Sequence, residues 1–380
     1  LSLDGGGMKG LCLIEMLRSI EARCGLPISD LFDLVVGTSA GGAISLCITT
    51  QLSGGFRNAE EIMHIIGEKL FSQGSTMQML RFGQRVPSHL VEQVVDMAEG
   101  LPDATKKIWE QEVQRPCSEG LLKEDSRVPH CFCVAARADE RGQWNSYHLR
   151  NYARSDPEES DLPGAAAMIY EDGSGHAPLR VCCRATTAAP TYFQKVDFED
   201  MELVDGGAAA NNPTLNAIIE AAIIFPDRPI GCIVSLGCGK VLRNPNVGNS
   251  VFCWLDTMID LATNSSKTHH TVKQVIASRP DLIKSCKYFR LEPPTGDTPM
   301  EEWRRSELSK MFKTVKAYIL RKNSKMDRLC LRLLQLTLEP EWEANDNLYE
   351  KTADPIMITE EIARLREVHF NERREGHISG

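Results

Sequence analysis

Leu31-Phe32-Asp33-Leu34-Val35-Val36 runs straight into Gly37-Thr38-Ser39-Ala40-Gly41-Gly42, and residues 43–50 continue as an apolar stretch. The apolar run 31–36 has the length of a buried strand, 37–42 is a sharp turn, and 43–50 reads as a helix. Within the turn, Gly37-Thr38-Ser39-Ala40-Gly41 fits G-x-S-x-G in the setting that gives the pattern its meaning, between a strand and a helix. Such a turn holds the serine in a strained conformation that only small neighbours tolerate, which accounts for Gly37, Ala40, Gly41 and Gly42. The hydroxyl then lies at a helix N-terminus, where the positive dipole end favours a developing anion. Ser39 is the candidate nucleophile. The plainer reading is a small-residue turn that happens to contain a serine.

Working outward, short apolar runs alternate with helical patterns, the rhythm of a parallel sheet covered by helices. Leu11, Ile14, Leu17 and Ile20 recur at helical spacing up to Arg23, and Gly25 with Pro27 closes that helix. Further strands are expected at 131–136, 203–204 and 230–236, the last ending in Gly237-Cys238-Gly239. Residues 56–128 are helical in tone but broken by Gly74, Gly83, Pro87 and Pro102, so they read as an insertion placed where a lid would sit. Residues 155–176, rich in Asp, Glu, Gly and Pro, read as an exposed loop. From about 255 the pattern is helical and charged, and 369–380 is expected to fray. The division is a catalytic domain at 1–240 and a mainly helical region at 241–380.

Ahead of the first helix stands Asp4-Gly5-Gly6-Gly7-Met8-Lys9-Gly10, which contains G-x-G-x-x-G at Gly5, Gly7 and Gly10. A dinucleotide fingerprint would need an acid at the end of the next strand to hold the ribose. Asp33 stands at the start of that strand instead, so the nicotinamide reading fails on position. The same loop suits an oxyanion hole, with the amides of Gly5, Gly6 and Gly7 aimed at a tetrahedral intermediate, an interaction worth several kcal/mol. It also serves as nothing more than a tight strand-to-helix turn.

A serine nucleophile needs a base. His269, His270, His369 and His377 lie in charged helical or terminal stretches and none follows a strand. Val204-Asp205-Gly206-Gly207 is better placed, because an acid at the C-terminal end of a strand can reach the same sheet edge as the turn at Ser39.

Taken in order, Asp-Gly-Gly-Gly-x-Lys-Gly, Gly-Thr-Ser-Ala-Gly and Asp-Gly-Gly resemble the patatin-like phospholipases. Leu149-Arg150-Asn151-Tyr152, Arg184-Ala185-Thr186-Thr187-Ala188-Ala189-Pro190-Thr191-Tyr192-Phe193, Ala210-Asn211-Asn212-Pro213-Thr214 and Val234-Ser235-Leu236-Gly237 are similar to the calcium-independent group VI phospholipase A2 branch and to some fungal patatin-domain proteins. The resemblance covers roughly residues 1–290. It implies a three-layer α/β/α fold with a mainly parallel central sheet, and a Ser-Asp dyad with no histidine. Carried over, it implies Ser39 as nucleophile, Asp205 as base, and Gly5, Gly6 and Gly7 as oxyanion donors, supported by Lys9, Gly10, Gly37, Gly41, Gly206 and Gly207. Lys9 departs from the arginine of many members, keeping the charge but losing the guanidinium fork. No ankyrin repeats lie in this segment.

Composition bounds the rest. Lys and Arg number 43 against 52 Asp and Glu, and the net charge of -9 argues against a general nucleic-acid binder. The 13 cysteines show no zinc-ligand spacing and read as reduced thiols of a cytoplasmic protein. No apolar stretch is long enough for a membrane span and no signal peptide opens the chain, so it reads as soluble or peripheral; Leu1, inside a strand, suggests a piece of something longer. Residues 301–334 form a basic amphipathic pattern, with Leu308, Met311, Phe312, Val315 and Ile319 on one face and Arg304, Arg305, Lys310, Lys313, Lys316, Arg321 and Lys322 elsewhere. Such a helix usually packs on a core. Its functional reading is docking on anionic lipid. The expectation is a lipid acyl hydrolase acting on phospholipid or lysophospholipid esters through an acyl-enzyme, with no metal or cofactor. Acyl transfer at the same site, or an idle regulatory module, are the alternatives.

Overall fold

The computed structural model describes residues 1–49, 56–71, 128–154, 172–190, 192–239, 265–278, 286–296, 298–338 and 355–376. Its strands are β1 (Ser2–Leu3), β2 (Leu34–Thr38), β3 (His130–Ala138), β4 (Trp144–Arg150), β5 (Gly173–Ser174), β6 (Val196–Phe198), β7 (Met201–Asp205), β8 (Cys232–Leu236) and β9 (Lys287–Leu291). They form one sheet in the order β5-β4-β3-β2-β1-β8-β9, with β7 on β3 and β6 on β7. The run from β3 through β2, β1 and β8 to β9 is parallel, whereas β4 and β7 lie antiparallel to β3.

The helices are α1 (Leu11–Cys24), α2 (Ile28–Leu31), α3 (Ala40–Thr49), α4 (Phe56–Phe71), α5 (Leu179–Thr186), α6 (Gly207–Ala210), α7 (Thr214–Ile224), α8 (Ser265–Ser278), α9 (Arg305–Arg321), α10 (Asn323–Leu338) and α11 (Pro355–Gly376). Strand side chains alternate between two buried faces, which is why β2, β3 and β8 read as largely apolar runs. Val35 and its register partner Cys131 face one side, with α1, α3 and α5, while Val36 and Phe132 face α7 on the other. Helices therefore cover both faces of a mainly parallel sheet.

Several boundaries differ from the sequence reading. β2 begins at Leu34 because residues 28–31 take a helical turn behind Pro27, whose φ of -64° starts it. α3 begins at Ala40, directly behind Ser39. Gly173–Ser174, expected in a loop, pairs with His148 and Leu149 as an edge strand. β4, β6 and β9 add strands that the apolar pattern does not announce.

Of the expected insertion, α4 is a core helix, burying Ala59, Met63 and Phe71 and tied to α1 by the Arg18–Glu60 ion pair. Residues 72–127, the rest of the stretch 56–128 in which a lid is expected, lie outside the described residues. The expected boundary at 240 falls between β8 and β9 of one sheet, and the helices beyond it join the core of β1 and α1. Leu308, Met311, Val315 and Ile319 of α9 are buried there, each worth roughly 1.5–3 kcal/mol when taken fully out of water. Arg23 at the end of α1 pairs with Asp327 and donates to Asn323 Oδ1 at 2.8 Å, fastening α10. Among the described residues, no helix is long and apolar enough to cross a membrane.

Candidate active site

The register along one edge of β3 brings the site together. Thr38, the last residue of β2, pairs with Val134, and Asp205, the last residue of β7, pairs with Ala135. Because β2 is parallel and β7 antiparallel to β3, the two strands run toward each other and their C-terminal ends meet. Ser39, one step past Thr38, donates its hydroxyl to Asp205 Oδ2 at 2.7 Å. Asp205 Oδ1 accepts the Gly207 N–H at 2.7 Å, and the Asp205 N–H donates to the Ala188 carbonyl at 3.0 Å. Both carboxylate oxygens thus have donors.

Ser39 sits in the left-handed region with φ of 54°, a conformation that costs a non-glycine residue about 1–3 kcal/mol. The tightness of the turn is plain at Gly37, where a Cβ would lie 2.1 Å from the Gly41 carbonyl oxygen. Gly41, in the first turn of α3, packs on the Leu3 and Asp4 carbonyls. The Ser39 N–H donates to Thr186 Oγ1 at 2.9 Å, and the Thr38 hydroxyl donates to the Ala210 carbonyl at 2.7 Å.

The glycine loop leaves β1, which lies beside β2, and so passes across the same sheet edge. A Cβ on Gly5 would lie 3.1 Å from Ser39 Cβ and 2.4 Å from Asn211 Oδ1, so only glycine lets the loop approach this closely. Of the three expected oxyanion donors, Gly5 is otherwise engaged, since its N–H donates to the Asn211 carbonyl at 3.0 Å. Among the described residues, the amides of Gly6 and Gly7 meet no acceptor. Gly10 precedes α1 against Ala40, Gly206 precedes α6 against the Val134 carbonyl, and Lys9 is buried in the turn between loop and α1. The loop is anchored from behind: Arg290 of β9 donates to both oxygens of Asp4, at 2.8 and 2.6 Å.

A family model described as patatin-like phospholipase matches residues 1–218, more than half of the 380-residue chain. The chain belongs to the patatin-like phospholipase family. Mouse calcium-independent phospholipase A2-gamma is 28% identical over 346 residues, covering 88% of this chain and 40% of its own length. Phospholipase A I of Arabidopsis thaliana is 27% identical over 333 residues, covering 79% of this chain and 25% of its own. Patatin-like phospholipase 1 of Plasmodium falciparum is 25% identical over 335 residues, covering 79% of this chain and 44% of its own. The chain spans less than half the length of each of these relatives.

Burial dominates the electrostatics of this patatin-like site. Loss of solvent pushes the Asp205 carboxyl up to about 6, against the opposing pull of the Gly207 N–H and the Ser39 hydroxyl. A carboxylate poised there is ionised at neutral pH yet basic enough to share a proton. Neither His269 nor His270 takes part in this geometry: His269 Nδ1 lies 2.9 Å from the Tyr288 hydroxyl on β9, and His270 is exposed on α8, while the backbone of His369 belongs to α11. His377 lies outside the described residues. No cluster able to hold a metal is found among the described residues, and the eleven described cysteines form no disulfide. Thr186, Asn211 and Arg290 had no assigned part in the sequence reading. The first two fall inside stretches that carry the family resemblance, which was the available signal.

Proposed function

We propose that this chain is a lipid acyl hydrolase that cleaves fatty-acyl esters of phospholipids or lysophospholipids, with Ser39 as nucleophile and Asp205 as its base. The observation that carries the reading is the 2.7 Å hydrogen bond from Ser39 Oγ to a buried carboxylate at the junction of two strand ends. As Ser39 Oγ attacks the ester carbonyl carbon, its proton passes to Asp205, and the tetrahedral oxyanion faces the amides of Gly6 and Gly7. Collapse breaks the bond to the alcohol, which leaves with the proton held by Asp205. Asp205 then takes a proton from water, the water attacks the acyl-enzyme, and the fatty acid departs as Ser39 regains its proton. The relatives named as phospholipases support a phospholipid substrate. Such a substrate lies in a bilayer, and Arg305, Lys313, Arg321 and Lys322 offer cations on α9 and just beyond it to anionic lipid.

Fatty-acid release from phosphatidylcholine and lysophosphatidylcholine vesicles, with Ser39→Ala and Asp205→Asn as controls, tests the reading. Release should depend on both residues, and a fluorophosphonate should label the wild type on Ser39. Full turnover by folded Ser39→Ala protein would remove the proposal.

A further inference from the structure

Neighbouring threonines at the end of α5 behave differently. Thr187 does what a helical threonine ordinarily does and donates its hydroxyl back to the Cys183 carbonyl at 2.7 Å. Thr186, fully buried, turns away from its own helix. Its hydroxyl donates to the Val134 carbonyl at 2.6 Å and accepts the Ser39 N–H at 2.9 Å. That amide precedes α3, so the helix itself offers it no acceptor. Two residues further on, the Ala188 carbonyl takes the Asp205 N–H at 3.0 Å. The segment 186–188 therefore grips the backbone amide of both Ser39 and Asp205, and Val134 and Ala135 are the register partners of Thr38 and Asp205. The hydroxyl has little freedom to move, since a Cβ on Gly42 would lie 2.5 Å from Thr186 Oγ1.

We propose that Thr186 is a positioning residue for the reaction: its hydroxyl fixes the backbone of Ser39 against β3 and so holds Ser39 Oγ within hydrogen-bond reach of Asp205. The inference rests on the acyl-hydrolase reading above. Ser39 is strained and its hydroxyl bonds Asp205 rather than its own helix, so the turn needs an outside tie to keep its geometry.

The test compares Thr186→Val, which keeps the shape and deletes the hydroxyl, with Thr186→Ser, which keeps the hydroxyl. Kinetics on a soluble short-chain nitrophenyl ester, the fluorophosphonate labelling rate of Ser39 and the thermal midpoint are measured for each. Thr186→Val should lower kcat and the labelling rate by about 10- to 100-fold with KM little changed, the scale expected for a small misplacement of a reacting group. Thr186→Ser should recover nearly all of both rates even where its thermal midpoint matches that of the valine variant. Wild-type kcat in Thr186→Val, or an equal loss in Thr186→Ser, overturns the proposal. Should the valine protein fail to fold, Thr186→Cys decides, because a thiol is a poor acceptor: a clear fall in kcat supports the proposal and unchanged kcat overturns it. Ester hydrolysis surviving Ser39→Ala would bring down the underlying reading as well, whereas a Ser39-dependent enzyme indifferent to Thr186→Val defeats this inference alone.

Discussion

Asp205→Asn removes a charge from a place that water hardly reaches. The residue is 5% exposed, and burial pushes its carboxyl to about 6, against about 3.9 in an unfolded chain. An acid with a raised folded value binds its proton more tightly in the native state than in the unfolded one. Its contribution to stability is therefore fullest below about pH 4 and is lost as pH rises through about 6. The gap corresponds to about 2–3 kcal/mol of folding free energy given up to keep the carboxylate ionised at neutral pH. Asparagine keeps the shape: its oxygen can still accept the Gly207 N–H, and its amide can donate to Ser39 Oγ. Urea unfolding of wild type and variant from pH 4 to 8 should show Asp205→Asn more stable by about 2–3 kcal/mol at pH 7.5, with the advantage gone near pH 4. On a soluble ester, wild-type kcat/KM should climb tenfold per pH unit below about 6 and level off above it, while the variant loses about 10²- to 10⁴-fold. A variant no more stable at pH 7.5, or an advantage that ignores pH, would refute the claim that the ionised carboxylate strains this site.

Ser39→Gly and Ser39→Ala should both lose turnover, but the glycine protein should be more stable by about 1 kcal/mol in denaturant unfolding, because it relieves the left-handed backbone at residue 39. Gly5→Ala, with its Cβ driven against Asn211 and Ser39, should cut kcat by about 100-fold in ester kinetics while the protein still folds. Activity should persist in excess chelator, and a loss restored by calcium alone would contradict a mechanism in which backbone amides meet the oxyanion. Reversing Lys313, Arg321 and Lys322 to Glu should weaken sedimentation with anionic vesicles in a salt-dependent way, each charge contributing about 1 kcal/mol, and leave soluble-ester hydrolysis unchanged. Arg304, Lys310 and Lys316 are poorer choices, since each lies beside a carboxylate of Glu302, Glu307 or Glu15.

The turn around Ser39 was readable because strand, small-residue turn and helix adjoin in the chain and each leaves a local mark. The glycine loop and the Asp205-Gly206-Gly207 stretch were readable for the same reason. Strands that bury polar side chains were not: β4 carries Ser146, His148 and Arg150, and β9 carries Arg290, all buried. Their charges are met from afar, Arg150 by Glu220 at 2.7 Å and Arg290 by Asp4, so no apolar pattern betrays them. Thr186 and Ser39 lie 147 residues apart, and a hydroxyl spent on another strand looks in sequence like one spent on its own helix. The Gly5 amide shows the converse limit. The loop pattern says that amides are available, but only the contact with Asn211 shows which one is taken.

The tie between Arg290 and Asp4 sets where this protein can be cut. The recognisable motifs end near residue 239, and a tidy expression fragment would stop there. Such a fragment would lose β9, leave β8 as a raw sheet margin, and strip the apolar side of α1 of its cover from α9 and α10. It would also strand Asp4 as a buried carboxylate without its cation, a loss of about 3–5 kcal/mol at the residue that leads into the glycine loop. For anyone grafting, fusing or trimming this domain, the smallest portable unit therefore runs at least through α10, whose last residue is Leu338.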